Sequence, residues 1–230
     1  MHKQTRFVAL CSALVLVASA LVAAQQIVSP GVHPISGRRY ALTMSYLGAD
    51  WLDRSERVQE EEPDEALNAL KLAPGSVVAD VGAGSGYMTV RMAQRVGPTG
   101  KVYANDIQPQ MLDILRQRLA REKVTNVELV LGTMDDPKLP ANSIDLILMV
   151  DVYHEFAQPQ PMLRKMRDSL KTGGQLVLLE YRKEDPSIPI RPDHKMSVAE
   201  AKMEVEAEGF TLARVDERLP RQHILVFTKN

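Results

Sequence analysis

The chain has 230 residues, 45% hydrophobic and 25% charged, with a formal net charge of -1. That is the make-up of one globular domain with enough chain to bury a sizeable core. A near-neutral chain implies no strongly basic face, so no nucleic-acid partner is expected.

The N-terminus stands apart. Lys3 and Arg6 precede an uncharged apolar run from Phe7 to Ala24, which ends in the small residues Val22-Ala23-Ala24. A basic start, an apolar middle and a small-residue exit predict a signal peptide over 1–24 and an exported, periplasmic or secreted protein. Left uncut, the same run is just long enough to anchor the chain in a membrane. Cys11, the sole cysteine, lies inside it. Residues 25–230 therefore have no thiol chemistry, and they carry 26 basic against 29 acidic residues. Residues 25–47 are punctuated by Pro30, Gly31, Pro34 and Gly37 and read as a linker.

From residue 48 to the end one α/β domain is expected. Trp51, Leu52 and Val58 are spaced as one helical stripe and Ala66, Leu67 and Leu70 as another, with Pro63 starting the second helix. The run 54-RSERVQEEEPDE-65 reads as a solvated helix face, with a lid over the site as the alternative. Strands are then expected over 77–81, 101–106, 127–131, 144–150, 175–181, 210–217 and 222–228, and helices over 85–96, 109–122, 159–170 and 197–208. Ser197 and Glu200 are spaced as a capping box. Alternating strands and helices make a doubly wound, Rossmann-like sheet of seven mostly parallel strands. The close through 217-ERLPRQ-222 has no helix between its strands, so the last strand is expected to be antiparallel.

The loop 80-DVGAGSG-86 falls between the first strand and its helix, where open α/β sheets hold ligands. A dinucleotide fingerprint would need a glycine at 87, where Tyr87 stands, and no Lys-Ser/Thr pair marks a phosphate loop. The acid Asp80 beside the glycines disfavours pyrophosphate and suits a cation. Asp106 ends the second strand, where a carboxylate can take both ribose hydroxyls. The site suits a nucleoside with a cationic tail.

In order, VADVGAGSG, 103-YANDIQPQML-112, 131-LGTMDDPKLP-140, 144-IDLILMVDVYHEF-156 and 168-DSLKTGGQLVLLEY-181 resemble the class I S-adenosylmethionine-dependent methyltransferases. The nearest type is the small-molecule one related to ubiquinone/menaquinone C-methyltransferases. The resemblance runs from about 70 to 227. It implies S-adenosyl-L-methionine as cofactor, with Asp80, Gly82, Ala83, Gly84, Gly86 and Tyr87 at the methionine part. Asp106 would hold the ribose, Ile107 would touch the cofactor beside it, and Met134 with Asp135 or Asp136 would hold the adenine. Thr133 departs from the pattern, since many relatives have Asp there. Asp151 would face the junction of cofactor and substrate.

In 151-DVYHEF-156, His154 is a candidate general base, with Glu155 and Asp151 beside it. The plainer reading is that these residues shape a pocket. His194 and Lys195 sit in a Pro-rich loop that could cover the acceptor. His223 reads as structural. His33, His154, His194 and His223 show no metal-ligand spacing, so no metal is expected.

The function expected is methyl transfer to a small-molecule acceptor by in-line displacement. The alternatives are an exported methyltransferase-fold binding protein without catalysis and a nicotinamide reductase, which the loop spacing disfavours. Export leaves the supply of S-adenosylmethionine without an explanation in the sequence.

Overall fold

The computed structural model describes residues 31–229, so the expected signal segment lies outside the described residues. Three short helices lead in: α1 (Ala49–Leu52), α2 (Arg57–Glu61) and α3 (Pro63–Leu70). There follow β1 (Val77–Val81), α4 (Tyr87–Val96), β2 (Lys101–Asp106), α5 (Pro109–Glu122), β3 (Val127–Leu131) and β4 (Ile144–Val150). The chain ends with α6 (Pro159–Ser169), β5 (Leu170–Tyr181), α7 (Val198–Glu206), β6 (Phe210–Asp216) and β7 (Gln222–Lys229).

The seven strands form one sheet in the order β3-β2-β1-β4-β5-β7-β6. β1 to β5 pair in parallel, and β7 runs antiparallel between β5 and β6. The expected fold forms, with the antiparallel last strand where the helix-free turn placed it. Strand pleating splits the core. Leu146 and Leu148 of β4 pack with α3 and α4, while Ile147 and Met149 pack with α6 and α7. The order reverses between β1 and β4, so the crevice beyond their carboxyl ends is where this topology opens a site.

Two expectations at the N-terminal side need correction. Residues 31–47, read as linker, form a strap on the domain. Val32 and Arg39 pair across a turn, and His33, Arg38, Tyr40 and Ala41 are buried. Arg38 anchors the strap: its guanidinium donates to both Glu204 oxygens at 3.0 and 2.9 Å and to the His154 carbonyl at 3.0 Å. Trp51 and Val58 do not form a buried stripe, being 44% and 53% exposed. The expected second stripe, Ala66, Leu67 and Leu70, is buried.

Candidate active site

The glycine loop is shaped by its own hydrogen bonds. The Gly82 and Ala83 amides both donate to the Asn105 carbonyl, at 2.9 and 2.8 Å, and Gly86 donates to Ala83. The Gly84 amide donates to Asp106 Oδ2 at 3.0 Å. An anion cradle needs such amides free; here they are spent, so the loop is not built for phosphate. Gly82 has φ +76°, and a Cβ there would lie 2.5 Å from Val152 Cγ2. Only glycine gives this turn and keeps the backbone open to a ligand.

Asp106 ends β2 at the wall of a cleft of about 830 Å³, which Gly82, Gly84, Ile107, Thr133 and Met134 also line. Its second oxygen accepts the Gln108 amide at 2.9 Å. Backbone donors on both oxygens fix the carboxylate and still leave acceptor capacity for a ribose diol. Burial pushes its pKa up, against those backbone bonds. The strap closes the cleft from above. Met44 carbonyl takes the Gln108 side-chain amide at 2.9 Å, and Met44 N–H leans on Glu155 at 3.3 Å.

A second cavity, about 850 Å³, abuts the first. Asp151 and Glu155 belong to both walls. Asp151 follows β4 with φ +50°, a conformation an Asp adopts at a cost of roughly 1–3 kcal/mol. One of its oxygens accepts from Gln222 at 2.7 Å, and the other is buried with no partner. Burial first, then the charges of Glu61 and Glu180, raise its pKa well above the ordinary value. Glu155 is pushed up to about 7 by burial.

His154 faces the second cavity from the 3-10 turn Tyr153–Glu155. Its Nδ1 lies 2.6 Å from Glu180 Oε2, while Glu180 Oε1 accepts the Tyr153 amide at 3.0 Å. Its Nε2 is 3.1 Å from His194 Nδ1. Burial opposes the His154 cation, but Glu180 outweighs it and the pKa rises. Burial and the neighbouring His154 lower that of His194. Arg57 and Glu61, read as part of a solvated face, are buried at 5% and 3% exposure. Tyr181 donates to Glu61 at 2.8 Å, and Arg54 reaches the same oxygen at 2.7 Å.

Of the residues expected at the cofactor, Gly82, Gly84, Asp106, Ile107, Met134 and Asp151 line the first cleft. Asp80 lies behind the loop, accepting from Thr89 at 2.6 Å. Tyr87 is buried between Arg57 and Arg91 at 4.3 and 3.9 Å from its ring. Ala83 and Gly86 also stand off the wall; a Cβ on Gly86 would strike Leu115. Asp135 is engaged by the Thr133 hydroxyl at 2.7 Å rather than aimed at the cleft, and Asp136 pairs with Lys138. His223 is buried between Glu217 and Glu184. Lys195 is buried on the carbonyls of Asp185 and Ile188, so it braces the 186–197 loop. The sequence reading missed Glu180, Gln222 and the Arg57–Glu61 pair. Glu180 left a signal: it is the one charge in the apolar stretch 175-QLVLLEY-181.

Residues 78–174 match a family described as a methyltransferase domain. This segment is thus similar to a methyltransferase domain. An S-adenosylmethionine-dependent methyltransferase from Aquifex aeolicus superposes with TM-score 0.75 and 26% identity, covering 81% of this chain and 98% of that one. A ubiquinone/menaquinone biosynthesis C-methyltransferase of Hydrogenovibrio crunogenus is 33% identical over 119 residues, 51% of this chain and 47% of the relative. A demethylmenaquinone methyltransferase of Listeria monocytogenes is 30% identical over 125 residues, 54% and 52% of the two chains. The chain thus spans about half the length of the curated relatives it matches. S-adenosylmethionine is the cofactor of such a domain, and the spent loop amides and the spare acceptor capacity of Asp106 at the cleft wall fit a nucleoside without phosphates.

Proposed function

We propose that the chain transfers a methyl group from S-adenosylmethionine to a small ring acceptor, a phenol or reduced quinone, in the second cavity. Asp151 carries the reading: its carboxylate belongs to the walls of both cavities, so a cofactor in one and an acceptor in the other meet there. When bound, the cofactor supplies an electrophilic methyl on a cationic sulfur. The chain's part is alignment and exclusion of water, which can supply much of the acceleration of an in-line displacement. Asp106 holds the ribose, Met134 and Ile107 flank the base, and the strap covers the junction. His154 and Glu155 stand where an acceptor's hydroxyl proton must leave. The ring class is supported by the second cavity's lining of Trp51, Tyr181, Pro189 and Ile190 and by the names of the curated relatives.

The test is full-length protein with methyl-labelled S-adenosylmethionine and a panel of phenols, demethylated quinols and aromatic acids. Label should pass to a ring acceptor and fail to do so with Asp106→Ala. A wild-type protein that binds the cofactor and labels nothing on the panel would overturn the ring class. Failure with every other acceptor class as well would leave a non-catalytic binder.

A further inference from the structure

We propose that His154, Glu155 and His194 bind one divalent transition-metal ion, with its open position facing the acceptor cavity. The proposal deepens the methyl-transfer reading and rests on it for the ion's role, though not for its binding. One ligand atom from each residue falls within a single set whose members all lie within 4.8 Å of one another. The two imidazole nitrogens are 3.1 Å apart. Two nitrogens bound at tetrahedral zinc distances lie about 3.3 Å apart, so the two histidines need only a few tenths of an ångström of movement, while the Glu155 carboxylate, 3.8 Å from His194 Nδ1, swings in to complete the set.

The surroundings prepare these ligands. Glu180 holds His154 Nδ1 and is itself fixed by the Tyr153 amide, which turns the Nε2 lone pair toward His194. A carboxylate behind a histidine is the usual support of a metal ligand. A hydrogen bond between the two histidines would satisfy them alone. It leaves Glu155 half-buried, with Met44 N–H at 3.3 Å and His194 at 3.8 Å. Asp151, half-buried, adds a second carboxyl group to the same wall. Two imidazoles and one carboxylate suit zinc or a similar ion and leave a fourth position for an oxygen ligand. The linear spacing hides the set, because His194 arrives from a turn 40 residues beyond His154.

The ion's role follows. With the ion bound, His154 and Glu155 would serve as ligands rather than proton acceptors, and an acceptor hydroxyl at the open position would lose its proton to solvent more readily. The carbon–sulfur bond of the cofactor breaks with its electron pair going to sulfur, and the methyl joins the activated acceptor. Overall the acceptor loses one proton and gains one methyl, and no oxidant is used.

The full chain, stripped with a chelator, is titrated with Zn²⁺ by calorimetry and with Co²⁺ by visible absorption, with S-adenosylmethionine titrated in parallel. One ion per chain is expected. His194→Ala should weaken Zn²⁺ binding at least about 100-fold and Glu180→Gln about 10- to 100-fold. His194→Ala should leave cofactor affinity within about twofold, since His194 does not line the cofactor cleft. Wild-type protein that binds the cofactor but no metal, or a His194→Ala variant that binds metal like wild type, overturns the site. Metal bound without cofactor would instead overturn the methyl-transfer reading and leave the site standing.

Discussion

The two halves of this site are built by different means. The cofactor half comes from adjacent pieces of one β-α-β unit, and main-chain groups do much of the fixing: Asn105 carbonyl holds the loop, and the Gly84 and Gln108 amides hold Asp106. The acceptor half is gathered from the strap, α2, the 153–155 turn, β5, the 192–194 turn and β7. There side chains hold side chains: Glu61 with Tyr181 and Arg54, Glu180 with His154, Gln222 with Asp151. Main-chain fixing follows from the fold, so it goes with the fold. Buried charge pairs are another matter, because losing one partner strands the other in a dry place. The acceptor half should therefore be the more fragile one.

Arg38 gives the sharpest break. Its guanidinium is buried on Glu204, which is itself fully buried, and it pins the strap to the His154 carbonyl. Arg38→Met should cost about 3–5 kcal/mol in urea unfolding. Adding Glu204→Gln should recover part of that loss, because the stranded carboxylate is much of the cost. A single variant within 1 kcal/mol of wild type, as roughly expected of a solvent-exposed pair, would erase the contrast between the halves.

On the cofactor side the largest effect belongs to Asp106. Two hydrogen bonds to a carboxylate are worth about 3 kcal/mol together, so Asp106→Ala should weaken S-adenosylmethionine binding at least about 100-fold by calorimetry. Circular dichroism should show the variant folded. A loss below tenfold would mean that the ribose is held elsewhere.

The same contrast explains what could be read in advance. The seven strands were legible because several, such as β4 and β5, are apolar runs and all are bounded by turns, and the glycine loop because its parts are contiguous. Glycine content also hinted at a close backbone approach, as Gly82 against Val152 shows. The acceptor half was legible at 151-DVYHEF-156 and, as a possible cover, in the Pro-rich loop that carries His194. A buried Arg57–Glu61 pair and a solvated i,i+4 pair look the same in a sequence; only the fold reveals which one is covered. His194 and Gln222 reach the site through long-range pairing, which no local pattern encodes. Asp80 shows the opposite failure. The acid was seen, but Thr89 of α4 holds it behind the loop instead of in the cleft.

Asp80 sharpens the point through pH. Burial raises its carboxyl from the ordinary 3.8 to about 6. A raised acid is protonated more readily in the folded state, so its favourable contribution is present below about 4 and is lost as pH climbs through 6. Ionised in place, it costs about 3 kcal/mol. Asn keeps an oxygen for Thr89 and never ionises. Urea unfolding from pH 4 to pH 7 should therefore show Asp80→Asn gaining about 2.5 kcal/mol on wild type. A constant difference across that range would mean that the carboxylate is solvated.

The smallest effect tests whether the acceptor half moves as one unit. Ser197 caps α7: its hydroxyl accepts the Glu200 amide at 3.1 Å, and Glu200 reaches back to the Ser197 amide at 3.0 Å. Ser197→Ala should cost about 1 kcal/mol and lower Tm by about 2–4 °C in a chain of this size. The cap sits two turns before Glu204, the anchor of the strap. If α7 frays locally, amide exchange should quicken at residues 198–200 and stay unchanged at Ala41 and Met44, with cofactor affinity intact. Faster exchange at Ala41 as well would show that the cap, the Arg38–Glu204 pair and the strap open together, and the lid over both cavities would then be set by the start of one helix.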